Sequence, residues 1–362
     1  MTDETSTTSH LSVAVTTSGI DKTQTTGENN TTSSSSNGYL EWAVISIGVV
    51  GTVGNAVILY ALVASKQHKK QVLIVNQNAL DLFSSFFLVI TYIMEVCNVN
   101  NNLTGVTGYW LCISILSGNF IWWGTNGSMV NLAIITIDRY LKVVHPIRSK
   151  KWLRPWVVYS EVAFSWFVGS VYNTILVLYS TAVIDGKCYS YAIFESYVAN
   201  MASVVFYIWF FCVIILAIFI FCYGRILVKI RNQARVMAIH NAAGPSTAQN
   251  QSNQIQSNVI KTMIFVSAFY AIAWLPYNIY YLLASTRLVP TLSFFDYGYY
   301  TIKFIAFFYT AANPFVYGTK FNPVRQILRK MIPCKKSLVQ PTDCPGTSGM
   351  RTSGRRTGQT RI

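Results

Sequence analysis

Seven blocks of apolar residues, at about 40–64, 72–96, 113–144, 153–179, 198–223, 259–284 and 299–318, constrain this chain more than any other feature. At 1.5 Å per residue, each is long enough to cross the ~30 Å hydrocarbon core of a bilayer as a helix. Lipid offers backbone groups no hydrogen-bond partners, so an apolar block immersed in it closes its own bonds as a helix. Glu161 interrupts the fourth block, the least clean of the set. Charged residues make up 11% of the chain, against about 25% in a soluble domain. The sequence therefore predicts an all-α membrane protein. Its parts are a disordered tail at 1–38, a seven-transmembrane helix bundle at 39–319, a short amphipathic membrane-surface helix at 320–333 and a disordered tail at 334–362.

A net charge of +15 would suit a nucleic-acid binder, but its distribution excludes that reading. With the N-terminus outside, Lys22, Lys187 and Arg287 fall on the outer side and Lys303 lies in the last block; the remaining Lys and Arg fall inside. This positive-inside bias fixes the expected orientation. Residues 1–38 are rich in Thr, Ser and Asn and contain no apolar signal segment, so the first helix is expected to act as the signal anchor. Sequons at Asn29, Asn30 and Asn102 lie on the expected outside; that at Asn126 lies within a helix and that at Asn250 inside. Cys97, Cys112 and Cys188 share the oxidising side.

Polar residues inside the blocks are costly and mark function or helix contact. Asp81 is a lone acid in the second block, read either as a carboxylate satisfied by Asn55 or as a cation or proton site. Asn55 itself reads as a structural amide, and Trp166 as a lipid or packing contact. The third block closes in Asp138-Arg139-Tyr140, followed by Val144-His145-Pro146-Ile147. Arginine stays charged, so Asp138 is its expected partner. The sixth block carries Trp274-Leu-Pro276 and the seventh Asn313-Pro314-Phe-Val-Tyr317. Each internal proline removes one helical hydrogen bond, and Pro314 frees the carbonyl of Thr310.

Asp138-Arg139-Tyr140 with the following proline, Trp-x-Pro and Asn-Pro-x-x-Tyr together resemble the marks of rhodopsin-like (class A) G-protein-coupled receptors, over about 40–332. The resemblance implies a ligand-activated receptor at the plasma membrane that is not an enzyme. Its expected partners are an extracellular ligand, a heterotrimeric G protein and arrestin. It assigns switching and G-protein coupling to Asp138, Arg139, Tyr140, Pro146, Ile147, Tyr223, Trp274, Pro276, Asn313, Pro314 and Tyr317. It also implies a sodium ion held by Asp81, Ser128 and Asn313, no other cofactor, and a Cys112–Cys188 disulfide, with Cys97 as the rival. Cys112 stands two residues farther from Arg139 than the family's usual spacing, which requires either a longer outer end or a bulge.

Other positions depart from the family. Ile215 replaces a mid-helix proline, so the fifth helix is expected to be less kinked. Gln256 replaces an acid that often holds the arginine, Tyr270 stands for the usual Phe, and 230–258 reads as a short third inner loop. Phe307 occupies the place of the Schiff-base lysine of an opsin, with Lys303 one turn too far out, and Ile121 the place of the monoamine-binding aspartate. The expected ligand pocket comprises Tyr92, Glu95, Ile121, Trp122, Thr125, Tyr277, Asn278, Tyr281, Tyr299, Lys303 and Phe307. An aromatic wall with few polar groups suits a peptide or an amphipathic small molecule. The segment Ala-Trp274-Leu-Pro-Tyr-Asn-Ile-Tyr-Tyr281 is similar to neuropeptide receptors of the tachykinin type. Glu95 and Lys303 are expected either to pair with each other or to leave Lys303 for a ligand carboxylate. Cys334 is a palmitoylation candidate, and Thr360-Arg-Ile362 resembles a ligand of PDZ proteins.

Overall fold

The computed structural model describes residues 33–191, 196–240, 247–286, 297–320 and 322–331. Asn29, Asn30, Cys334 and the Thr360–Ile362 ending lie outside the described residues. Helices α1 (Ser33–Ala64) and α2 (Val72–Val96) come first. A short α3 (Gly105–Leu111) then leads through a wide turn at Cys112–Leu116 into α4 (Asn119–Val144). Next come α5 (Pro146–Trp152), α6 (Pro155–Ser180) and strands β1 (Ala182–Ile184) and β2 (Lys187–Tyr189). α7 (Tyr197–Tyr207) passes through a second wide turn at Ile208–Ile214 into α8 (Ile215–His240). The remaining helices are α9 (Thr247–Thr286), α10 (Tyr297–Lys320) and α11 (Asn322–Met331).

α1, α2, α4, α6, the α7–α8 pair, α9 and α10 form the expected seven-helix bundle. Four spans among the described residues are apolar enough by composition alone to cross a membrane: Tyr39–Ala64, Val72–Val96, Pro155–Ser180 and Tyr197–Gln233. The other three, α4, α9 and α10, carry more polar and aromatic residues, many of them buried in the bundle, such as Asn131, Trp274 and Asn313. α4 is the hub, packed on α2, α6 and α8, while α1 lies against α2 and α10, and α10 against α9. The core is a column of buried rings and aliphatic groups that includes Phe211, Tyr270, Trp274, Phe307 and Tyr317.

The extra residues between Cys112 and Arg139 are absorbed by a bulge. The helix widens to π geometry at Cys112–Leu116 and breaks at Gly118, whose φ of 69° is the left-handed conformation glycine adopts without steric cost. The register below Gly118 is unaffected. The fifth span lacks the proline and is locally widened at Ile208–Ile214, immediately before Ile215. The Tyr270 hydroxyl donates to the Phe211 carbonyl inside that turn at 3.1 Å, so a side chain on α9 takes a carbonyl in the irregular segment.

The third inner loop is shorter than the 230–258 expected, because α8 extends to His240 and α9 begins at Thr247. Ala, Gln and Arg are good helix formers and carry both helices past the bundle. α1 likewise starts at Ser33, earlier than the expected boundary. The one sheet among the described residues is a hairpin, which the all-α expectation did not contain: β1 and β2 pair antiparallel, Val183 opposite Cys188, across Asp185-Gly186 at φ 50° and 74°.

Candidate functional site

The hairpin marks one end of the bundle and the Asp138-Arg139-Tyr140 triplet the other. At the hairpin end Cys112 and Cys188 form a disulfide, with a Cα–Cα distance of 5.5 Å, while Cys97 is exposed and free. The rival pairing is thereby removed. Asn102 is exposed at this end, as a glycosylated side chain must be, and Asn126 is fully buried.

Below the hairpin, rings converge. Trp122 lies against Trp274, Tyr277 and Phe307 at centroid distances of 6.1, 5.8 and 6.0 Å. Tyr281 stacks parallel to Tyr277, and Tyr299 completes the wall beside Tyr277. Lys303 Nζ sits 5.4 Å from the centre of the Tyr92 ring and 5.5 Å from that of Tyr299, a geometry in which ring quadrupoles attract the ammonium. Glu95 is exposed and forms no ion pair with Lys303, so the expected mutual pairing is not what the structure holds. Asn278 is buried, with its Oδ1 unpaired. Thr125 does not face this group: its hydroxyl lies 2.8 Å from Ser84 Oγ on α2, and Ile121 is buried, its carbonyl accepting from the same serine.

In mid-bundle, Asp81 is fully buried. Ser128 Oγ donates to its Oδ1 at 2.6 Å and Asn313 Nδ2 to its Oδ2 at 2.8 Å, so the three residues expected to cluster do so. Gln77, not singled out by sequence, joins them. Its Nε2 lies 3.4 and 3.5 Å from the two carboxylate oxygens and also donates to Ser128 Oγ. Asn55 is not part of this group; its amide donates to the carbonyls of Gly51 and Thr310 at 2.9 and 3.2 Å. It thus takes the carbonyl that Pro314 leaves free.

A chain of amides fixes how Gln77 points. The Trp166 indole can only donate, and it donates to Asn76 Oδ1 at 2.9 Å. Asn76 Nδ2 therefore faces Asn131 Oδ1, also at 2.9 Å. Asn131 Nδ2 meets the Leu73 carbonyl at 3.0 Å, which can only accept, and Gln77 Oε1 at 2.8 Å. Both anchors give the same orientation, with the Gln77 N–H end towards Asp81. Trp166, half-buried and packed on the Phe83 ring as a packing contact would be, is also one terminus of this network. A sodium ion takes oxygen lone pairs. What Asp81 meets here is a set of N–H and O–H donors: Asn313 turns its amide nitrogen to the carboxylate and leaves its Oδ1 buried without a partner among the described residues, while Gln77 is held with its N–H end towards the carboxylate. With Gln77 so held, the group as it is turned here does not match a cation's need for oxygen ligands.

At the triplet end, Arg139 and Asp138 are only loosely paired, Nε to Oδ2 at 3.8 Å. Lys142 Nζ holds the Asp138 carboxylate far more closely, 2.8 and 2.9 Å from its two oxygens, because residues four apart share a helix face. Arg139 Nη2 instead donates to Gln71 Oε1 at 2.7 Å, at the start of α2. The expected Asp138 clamp on Arg139 is therefore supplied mainly by Gln71. The side chain of Gln256 lies outside the described residues. The Tyr223 hydroxyl lies between Thr136 and Ser267, 3.0 Å from each, and Tyr140 contacts His145. Tyr317 is buried without a hydrogen-bond partner among the described residues. Pro146 starts α5, from which Ile147 projects at 86% exposure. Pro276 and Pro314 lie inside α9 and α10.

The chain matches the family model for the 7 transmembrane receptor (rhodopsin family) over residues 54–317. It is 25% identical to melanopsin-B of Gadus morhua over 310 residues, covering 82% of this chain and 48% of that protein. It is 24% identical to somatostatin receptor type 5 of Rattus norvegicus, covering 78% of this chain and 74% of that one. Galanin receptor 2b of Danio rerio is 20% identical, with coverage of 80% and 73%. The chain thus spans about half the length of the melanopsin and about three quarters of the other two. The crystal structure of squid rhodopsin superposes with a TM-score of 0.66 at 17% identity, covering 82% of this chain and 85% of that one, which shows the shared fold.

Proposed function

Because this chain belongs to the rhodopsin-like family of seven-transmembrane receptors, we propose that it binds an extracellular peptide at the hairpin end and activates a heterotrimeric G protein at the triplet end. In this reading the N-terminus faces outside and the protein resides in the plasma membrane. The observation that carries the ligand class is Lys303, a cation held between two tyrosine rings with no carboxylate partner among the described residues. A peptide carboxylate would satisfy it, and the surrounding tyrosines offer apolar faces with polar rims. The rings of Trp122, Trp274, Tyr277 and Phe307 fill the space below. A ligand resting on them would press on Trp122, which touches Trp274 directly. Activation is then a shift between two packings of this aromatic group, carried through α9 to the end where Arg139 is held.

The somatostatin and galanin receptors among the relatives agree with a peptide ligand. The melanopsins raise an opsin reading, against which stands Phe307 at the place of the Schiff-base lysine. The test is a peptide-library screen in cells reporting calcium and cyclic AMP together, repeated on Lys303→Ala and Arg139→Ala. Peptide hits lost in both variants are expected. A response to light with retinal, or peptide hits indifferent to Lys303→Ala, would overturn the reading.

A further inference from the structure

We propose that the Gln77 amide takes the place of a cation at Asp81, so that this carboxylate is satisfied from within the chain and binds no sodium. The inference concerns the mid-bundle cluster alone and is independent of the peptide reading. Its basis is the directed run Trp166, Asn76, Asn131, Gln77. An amide free to turn could offer an oxygen to a cation. Gln77 is not free to turn, because its oxygen is committed to Asn131, and Asn131 is committed to both the Leu73 carbonyl and Asn76. The positive end of the amide dipole is therefore held against both oxygens of Asp81. The same nitrogen donates to Ser128 Oγ while Ser128 donates to Asp81, so the hydroxyl works as a relay between two fixed groups. With Asn313 Nδ2 on the second oxygen, the carboxylate accepts from three side chains. A carboxylate so supplied has its charge stabilised without an ion. Ligating a cation would require Gln77 to withdraw, leaving its amide unpaired in a buried site, and would break the run as far as α6.

A cation that binds the folded protein raises its melting temperature, by an amount set by its concentration relative to its Kd. The experiment is thermal unfolding of the purified full-length receptor in sodium chloride against choline chloride at equal ionic strength. Wild type is expected to melt at the same temperature in both. Gln77→Met keeps the side chain's length and removes the donor; it is expected to gain a sodium-specific rise of about 2 °C or more. Adding Asp81→Asn to Gln77→Met should abolish that rise. Gln77→Leu serves if the Met variant does not fold. Sodium-specific stabilisation of wild type would overturn the proposal, even if neither variant could be purified. So would variants as indifferent to sodium as wild type, or a gained effect that survives Asp81→Asn.

Discussion

Arg139 donates from Nη2 to Gln71 Oε1 at 2.7 Å, which ties the end of α4 to the first turn of α2. Gln71 stands just ahead of the apolar block that becomes α2, where a lone amide carries no sequence signal. A hydrogen bond from a charged donor contributes about 1.5–3 kcal/mol. Gln71→Ala should therefore raise basal nucleotide exchange several-fold, and Gln71→Glu should lower it by converting the contact to an ion pair. Basal signalling read on a panel of G-protein biosensors checks this. Equal basal activity in all three proteins would remove Gln71 from the switch.

Asp138 is held by Lys142 at 2.8 Å and reaches Arg139 only at 3.8 Å. Asp138→Asn alone leaves the Gln71 bond in place. Its effect on basal activity should therefore be smaller than that of Gln71→Ala, and the double variant should exceed either single change. Lys142→Met should release the carboxylate to Arg139 and lower basal activity. Arg139→Ala should abolish agonist-driven exchange throughout. A basal activity of Asp138→Asn above that of Gln71→Ala would show that the neighbouring carboxylate is the main restraint.

Lys303 and Glu95 make no ion pair, so a double-mutant cycle on the stability of the ligand-free receptor should give a coupling below about 0.5 kcal/mol. Lys303→Met keeps the aliphatic stem and removes the charge. The substitution forfeits the attraction of the Tyr92 and Tyr299 rings for the ammonium, so this variant should melt no higher than wild type while losing peptide binding. Strong Glu95 coupling in the ligand-free receptor would restore the mutual pairing.

The helical blocks were legible because lipid leaves an apolar segment no other conformation, and the motif residues because each is a polar or proline exception within such a block. Asp81, Ser128 and Asn313 were legible for that reason, and they do meet. Gln77 and Asn131 were not, although they too are polar residues in apolar runs. Their role depends on which way an amide points, and that is decided by Trp166 on a third helix. The ring of Trp166 signals the packing it makes on Phe83, while the partner of its N–H is set by how closely α6 approaches. The Asp138–Arg139 pair is present but long, at 3.8 Å, because adjacency in sequence does not place two side chains on one helix face, whereas a spacing of four, as with Lys142 at 2.8 Å, does. The wide turn at Ile208–Ile214 had no proline to announce it.

Tyr270 donates to the Phe211 carbonyl within that turn. Tyr270→Phe keeps the ring contacts with Trp274 and Tyr309 and removes only this bond. Loss of a buried hydrogen bond destabilises by about 1 kcal/mol, equivalent to a fall of about 2–4 °C in melting temperature. Unfolding of the purified variant measures it. An unchanged melting temperature would mean that the turn at Ile208–Ile214 holds its shape without the hydroxyl.

α4 and α6 meet at Gly127 and Gly169, and the contact is tight enough to test with a single methyl group. A Cβ on Gly169 would lie 2.5 Å from the Trp123 carbonyl oxygen and 2.7 Å from Gly127 N, both backbone atoms that cannot turn aside. Gly169→Ala must therefore push α6 away from α4, and the displacement bears on Trp166, whose bond to Asn76 anchors the mid-bundle amides. The expected result is a loss of more than about 2 kcal/mol, with little receptor at the cell surface. Gly224 on α8 is the control, since a Cβ there meets nothing within 4 Å. Gly224→Ala should be neutral or stabilising by up to about 1 kcal/mol, because alanine is the better helix former. Surface expression and melting temperature measured side by side decide the matter: equal tolerance of the two substitutions would mean that α4 and α6 are not in the close contact described.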